Sequence, residues 1–186
     1  MKLFRGKHPV LSAFLTVLFC IAAGALGLLL LSLTASAPSN LGVRNGRLAP
    51  CPTSPNCVST QAEDREHWIA PISVTFQDPS PIELLAELVR EMPRAKIVEQ
   101  SDVYLRAEFR SRVFRFCDDV EFYYEKDSGR IHFRSASRVG HSDLGVNRDR
   151  MEHIRTLFLA KAPPASAALK PSATLKHSAA IVSSSR

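Results

Sequence analysis

An apolar run that no charge interrupts occupies residues 10–33. As a helix, about 24 residues measure roughly 36 Å against a hydrocarbon core of about 30 Å, so the run predicts a membrane-spanning helix with some tilt. Signal-peptide apolar regions are shorter, about 7–15 residues. Residues 34–49, rich in Ala, Ser, Gly, Asn and Pro, predict a tether. Residues 69–76 predict a first strand, which Pro71 restricts to a short or edge position. Ser80-Pro81-Ile82-Glu83 predicts a helix start. Ser80 is the expected cap, Pro81 suits the first helical position and Glu83 completes a capping box. Leu85, Leu88, Val89 and Met92 then fall on one face, and Pro93 ends the helix.

Beyond Pro93 the period changes to two. Val103, Leu105, Ala107 and Phe109 alternate with Tyr104, Arg106, Glu108 and Arg110. Val120, Phe122 and Tyr124 alternate with Glu121 and Tyr123, and Ile131 and Phe133 with His132 and Arg134. Each strand has one apolar and one mixed polar face, the pattern of an antiparallel sheet wet on one side. Asp127-Ser128-Gly129 marks a hairpin turn. With Glu125 and Arg130 flanking it, Glu121 falls opposite Arg134, a cross-strand ion pair of modest expected value. A last helix is expected near Asn147, a plausible cap, with Met151, Ile154, Leu157 and Phe158 on its apolar face. The expected fold is α+β: an antiparallel sheet of four or five strands with two helices on one face, preceded by one transmembrane helix.

The expected organisation is therefore a cytoplasmic N-terminus (1–9), a transmembrane signal-anchor (10–33), a linker (34–49), one soluble domain (50–160) and a tail (161–186). The tail holds Ala, Ser, Pro and Lys without aromatics, and its composition predicts disorder. About 110 residues suffice for one core and are too few for two.

Charge changes the picture only through its location. The net charge is +6, from 24 basic and 18 acidic residues. Lys2, Arg5 and Lys7 precede the apolar run, and Lys161, Lys170, Lys176 and Arg186 lie in the tail. These cations exceed the whole excess, so the domain is close to neutral, and the basic patch a nucleic-acid module needs is missing from it. The leading cations place the N-terminus in the cytoplasm and the domain outside. A cleavage reading competes: Ala35-Ser36-Ala37 fits a signal-peptidase pattern, although Pro38 follows it. Cys20 does not make a lipobox, because Phe19 before it is too large.

Cys51-Pro52-Thr53-Ser54-Pro55-Asn56-Cys57 carries two cysteines with turn chemistry between them. In an oxidising compartment a structural disulfide is the leading reading. A metal site would need further ligands, with His67 the nearby candidate, and the spacing is not a zinc signature. Nor is it the two-residue spacing of a redox pair. Cys117, in a Phe-rich stretch, reads as a small buried hydrophobe. No cofactor is implied.

Taken in order, the disulfide loop with Val58-Ser59, then residues 107–116 (AEFRSRVFRF), Asp118-Asp119-Val120-Glu121-Phe122, and the long stretch from Arg134 to Arg148 (RSASRVGHSDLGVNR) resemble the DUF1499 family. This is a bacterial and plastid group of uncharacterised function. The resemblance covers about residues 50–158 and implies no established activity. In the family's pattern position 141 is more often Tyr and position 117 more often aliphatic, which makes His141 and Cys117 poor bets for shared chemistry. The implied location is a bacterial cytoplasmic membrane, with a single span and the domain on the periplasmic side.

Residues 134–150 are the best candidate site. The segment leaves a strand, crosses a glycine-containing loop and enters a helix, with Arg134, Arg138, Arg148 and Arg150 around it. A helix N-terminus and arginines together suit a carboxylate or phosphate, with Arg110, Arg112 and Arg115 adding to the field. The candidate ligand-binding residues are Arg134, Ser135, Ser137, Arg138, Ser142, Asp143 and Asn147. A structural alternative has Asp143 pairing with Arg138 or holding the helix start, with Asn147 capping. A hydrolase using Ser137 or Ser142 with His141 has the residue types but no nucleophile elbow. Asp118 and Asp119, adjacent on a strand, face opposite ways and do not converge. Three functions follow: a non-catalytic envelope domain binding an anionic ligand or partner protein, a serine-type hydrolase, and a scaffold whose tail or wet sheet face docks a partner.

Overall fold

The computed structural model describes residues 9–75 and 80–163. Nearly all of the expected N-terminal segment and tail, and Phe76 of the expected first strand, lie outside the described residues. Helix α1 (Pro9–Thr34) is unbroken for 26 residues and is long and apolar enough to cross a membrane. Its Val, Leu, Ile and Phe side chains point outward along most of its length, an arrangement water would penalise.

The domain follows as β1 (Cys57–Ser59), β2 (Ile72–Ser73), α2 (Pro81–Glu91), β3 (Ala95–Gln100), β4 (Tyr104–Arg110), β5 (Cys117–Glu125), β6 (Arg130–Ser137) and α3 (Val146–Lys161). All strand pairings are antiparallel, in the order β1-β6-β5-β4-β3, with β2 beside β1 on the outer edge of β6. The α+β class holds, but the strands number six among the described residues. The three long ones are those the alternation predicts. The other three leave weak signals: β1 and β2 are three and two residues long, and β3 carries a bulge between Ile97 and Glu99 that breaks its alternation.

Both helices pack on the same face, α2 over β3, β4 and β5, and α3 over β6 and β1. Leu85, Leu88 and Val89 of α2 and Met151, Ile154 and Phe158 of α3 close over Leu105, Val120, Phe122, Ile131 and Phe133. At about 1.5–3 kcal/mol per fully buried large side chain, this layer is the main favourable contribution to folding. The β5–β6 hairpin has the expected register, Glu125 opposite Arg130 and Glu121 opposite Arg134. Its Gly129 has φ +62, and an added Cβ would stand 2.8 Å from the Val74 carbonyl oxygen, so a side chain is excluded where the segment after β2 joins the turn.

Two helix starts differ from expectation. Ser80 occupies the N-cap of α2, but its side chain makes no capping bond, so the capping box does not form; Pro81 does take the first helical position. The N-cap of α3 is Gly145, with φ 85, and not Asn147. Asp143 caps instead: its carboxylate accepts the Gly145 and Asn147 N–H groups at 3.1 and 2.8 Å. Asn147 is thereby free to turn its side chain inward, where it is fully buried. The polar sheet face is a third difference. Its centre is closed, with Asp119, Glu121 and Arg134 at 1%, 0% and 5% exposure.

Candidate functional site

Strand alternation places Tyr104, Arg106, Glu108 and Arg110 of β4 beside Asp119 and Glu121 of β5 and Arg134 of β6, all on the face away from the helices. Arg138, one residue past β6, joins them. Its guanidinium takes both oxygens of Asp119 at 2.8 Å and reaches Glu108 at 2.5 Å. Glu108 also holds Arg110 at 3.0 Å, and Arg106 lies 3.8 Å from Asp119 and 3.7 Å from Glu99. A second group centres on Glu121, which accepts the Tyr104 hydroxyl at 2.7 Å and meets Arg134 Nη1 at 3.5 Å. Four arginines thus face four carboxylates, which offsets the cost of burying them.

The protonation energetics follow this pairing. The bidentate bond to Asp119 raises Arg138 above its ordinary value. Burial alone would raise the Glu108 carboxyl, but Arg138 and Arg110 hold it below the usual range. Burial pushes Arg134 down, with Glu121 opposing. Burial, then Glu121, pushes the Tyr104 hydroxyl up and keeps it a donor.

The tether after α1 is what closes this face. Arg138 Nη1 donates to the Ala35 carbonyl at 3.4 Å, and the Gly42 N–H donates to Glu121 at 2.7 Å. Between these points the tether and the sheet leave a recess of about 380 Å³, walled by Pro38, Asn40, Pro50, Cys51 and Pro52 on one side and by Asp119, Arg134 and Arg138 on the other. Among the described residues Arg134 is the least satisfied group there: its Nε is buried without an acceptor, and its one carboxylate contact is long.

The remaining predicted residues sit elsewhere. Ser135, Ser137 and Asn147 lie on the helix side of the sheet, around Asp118 and Arg150. Ser135 donates to Asn147 at 2.5 Å, and Arg150 donates to Asn147 at 2.6 Å and to Asp118 at 2.6 Å. Ser137 donates to Asp118 at 2.6 Å, and Asn147 donates to Ser137 and to the Asn56 carbonyl at 3.1 and 3.0 Å. Arg150 also lies over the Phe109 ring, 4.7 Å from its centre. Ser142 accepts the Leu144 N–H at the loop tip. Arg148 donates to the Trp68 and Glu66 carbonyls. The four arginines that the sequence groups around one loop therefore go to four separate sets of partners. Asp118 and Asp119 face opposite sides, as their adjacency on a strand requires.

The disulfide loop braces this end of the sheet. Cys51 and Cys57 are bonded, with Cα atoms 5.7 Å apart. Within the loop Ser54 bonds the Asn56 side chain at 2.8 Å, and Asn56 donates to the Gly140 carbonyl at 2.6 Å. His67 is pinned between Asp64 at 2.8 Å and the Ser54 carbonyl at 3.1 Å, so both ring nitrogens are engaged. Cys117 is buried, which pushes its thiol up to about 11 and makes it a poor nucleophile.

Residue reading alone misses Asp119, Glu108 and Tyr104 as partners, and Gly42 and Ala35 as the points where the tether attaches. The first three were within reach of register arithmetic, because Glu121 opposite Arg134 puts Asp119 one pair nearer Arg138. The tether contacts, separated by 79 and 103 residues along the chain, leave no periodic signal. Comparison with curated proteins and with solved structures finds no match. A family model described as "Protein of unknown function (DUF1499)" matches residues 47–158, from just before the disulfide loop to the last turns of α3, and the chain belongs to that family.

Proposed function

We propose that this is a single-pass membrane protein whose domain lies on the periplasmic side of a bacterial cytoplasmic membrane and binds an anionic ligand without catalysing its conversion. The observation that carries the ligand is Arg134. Arg134 lines the recess under the tether, yet among the described residues its guanidinium makes one contact, of 3.5 Å, and leaves Nε without an acceptor. A carboxylate or phosphate oxygen is the partner such a group takes best. The disulfide supports an oxidising compartment. The hydroxyls weigh against a hydrolase: Ser137 is bound to Asp118 and Asn147, Ser142 serves the loop, and His141 lies exposed.

The test is calorimetric titration of the full-length protein in detergent micelles with inorganic phosphate and with succinate. The expected result is saturable heat with at least one of them. Arg134→Gln/Glu121→Gln, which removes the guanidinium without stranding a carboxylate, loses that heat; Ser142→Ala keeps it. No saturable heat with either anion on folded wild-type protein overturns the reading. Turnover in an esterase and phosphatase screen that His141→Ala abolishes would replace it with the hydrolase.

A further inference from the structure

We propose that the domain also rests on the bilayer itself, through two loops at one end of its sheet: the β4–β5 loop (residues 111–116) and the β6–α3 loop (residues 139–145) seat in the headgroup layer of the membrane that α1 spans. The inference rests on the reading of α1 as an anchor, and the experiment below separates the two.

The geometry follows from where α1 ends. Its 26 residues measure about 39 Å, against about 30 Å of hydrocarbon and about 40–45 Å with headgroups. A spanning α1 therefore delivers Thr34 into the headgroup layer. The next residue, Ala35, accepts a hydrogen bond from Arg138 at 3.4 Å. Arg138 in turn donates its own N–H to the Cys117 carbonyl at 3.0 Å, and Cys117 pairs with Arg110. One sheet end is thereby tied to the lipid surface. Both loops leave from it, whereas the β5–β6 turn lies at the other end, about 26 Å away along β6.

The loops have the chemistry of an interface. Ser111-Arg112-Val113-Phe114-Arg115-Phe116 carries two exposed arginines, two aromatic rings and no acid. It is a closed structure: the Ser111 N–H donates to the Phe116 carbonyl at 2.8 Å, and the Phe116 N–H donates to Ser111 Oγ at 2.9 Å. Val113 at its tip is 72% exposed, beside the Phe114 and Phe116 rings, which stand 5.7 Å apart. In the second loop Leu144 is 91% exposed and is held in the left-handed region, φ 57. Ser142 binds its N–H, and Asp143 binds the N–H of Gly145 after it, so the loop presents this side chain outward. Among the described residues four non-glycines have a left-handed φ, and three of them, Arg94, Arg115 and Leu144, gather at this end. Backbone held in such conformations marks places where surroundings and function override local preference.

In water, Leu144 and Val113 at the tips of rigid loops are unfavourable. At a bilayer they enter the boundary between headgroups and acyl chains, about 5–10 Å deep, while the guanidinium groups reach phosphates. An anionic leaflet adds attraction for Arg112 and Arg115. The same end therefore carries the anchor, the cations and the outward apolar side chains, a combination that fits a lipid surface better than a protein groove.

The test uses the full chain reconstituted in vesicles of phosphatidylcholine with a minority of phosphatidylglycerol, some of the lipid brominated near the top of its acyl chains. In a Trp68→Phe background, which removes the one native tryptophan, a reporter is introduced as Val113→Trp, Leu144→Trp or, at the distal turn, Asp127→Trp. The expected result is that emission at 113 and 144 loses most of its intensity to the bromine while 127 keeps its own. Two reporters on separate loops guard against one substitution disturbing its loop. If the protein floats with the vesicles but 113 and 144 are quenched no more than 127, the docking is overturned while the anchor stands, and a protein partner becomes the occupant of this end. If the protein does not float, the anchor reading fails and the docking with it.

Discussion

Arg134 stands directly across the β5–β6 register from Glu121, with both side chains buried and Nη1 3.5 Å from Oε2. Such a pair is not worth much as a net stabiliser, because desolvation of both charges offsets their attraction; it is costly to break from one side. Glu121→Ala should therefore lose about 3–5 kcal/mol, since it strands a buried guanidinium and removes the acceptor of Gly42 and Tyr104. Arg134→Gln/Glu121→Gln keeps an acceptor for both and should stay within about 1–2 kcal/mol of wild type. Chemical denaturation of the full-length protein in micelles measures all three. A loss under about 1 kcal/mol for Glu121→Ala would mean the face is open in solution.

The motif from Arg134 to Arg148 contains residues of very different structural weight. Asn147 is fully buried and bonded to Ser135, Ser137, Arg150 and the Asn56 carbonyl. Asn147→Ala leaves several of these groups unpaired in the interior and should cost about 2–3 kcal/mol. Ser142 is exposed and makes one backbone bond, so Ser142→Ala should stay within about 0.5 kcal/mol. Thermal unfolding of the two variants side by side checks the order. Equal shifts would contradict the division of this segment into a buried polar core and an exposed loop.

How far the sequence carried can be seen in the same residues. Alternation located β4, β5 and β6 and set Glu121 against Arg134, because a period of two fixes both register and face. It also assigned the polar face to water, and there it failed. Nothing in strand periodicity says that a tether 79 residues upstream will cross that face and bond Glu121. β2 lies inside the strand expected over residues 69–76 and is short and at an edge, as Pro71 implies, whereas the three-residue β1 is too short for any pattern. Residue type and proximity favour Asn147 as the cap, but Asp143, the alternative holder of the helix start, takes the N–H groups of Gly145 and of Asn147 itself. In the candidate site the residue types were legible and their distribution was not: adjacent positions on β6 look alike in sequence yet sit on opposite sides of a sheet.

Acid should weaken the polar face through Glu108. Its folded pKa lies below the ordinary 4.5, because Arg138 and Arg110 outweigh burial. A depressed carboxyl contributes stability that is fully present above its unfolded value and is lost as pH falls through its folded one. Stability measured from neutral pH down to about pH 3 should therefore fall more steeply for wild type than for Glu108→Gln, which has no proton to take up. The two curves should differ most above pH 4.5 and converge at the acid end. Parallel acid limbs would show that Glu108 does not sense Arg138.

Reduction of the Cys51–Cys57 bond should act at a distance from the sulfurs. Closing a loop this short stabilises by about 2 kcal/mol in the chain-entropy account. The loop's Asn56 bonds the Gly140 carbonyl through its side chain, and its own carbonyl accepts from Asn147, so the bridge braces the segment that leads into α3. Cys51→Ala/Cys57→Ala should therefore lower global stability by about 2 kcal/mol and also speed amide exchange at Gly145 and Asn147, whose N–H groups bond Asp143. Exchange in the β5–β6 turn, at the far end of the sheet, should change only by the global loss. If both regions accelerate equally, the disulfide stabilises the domain as a whole and does not order the loop. A larger acceleration at Asn147 than at the turn is the outcome expected of a brace, and it would couple the redox state of the cysteines to the loop that carries Leu144.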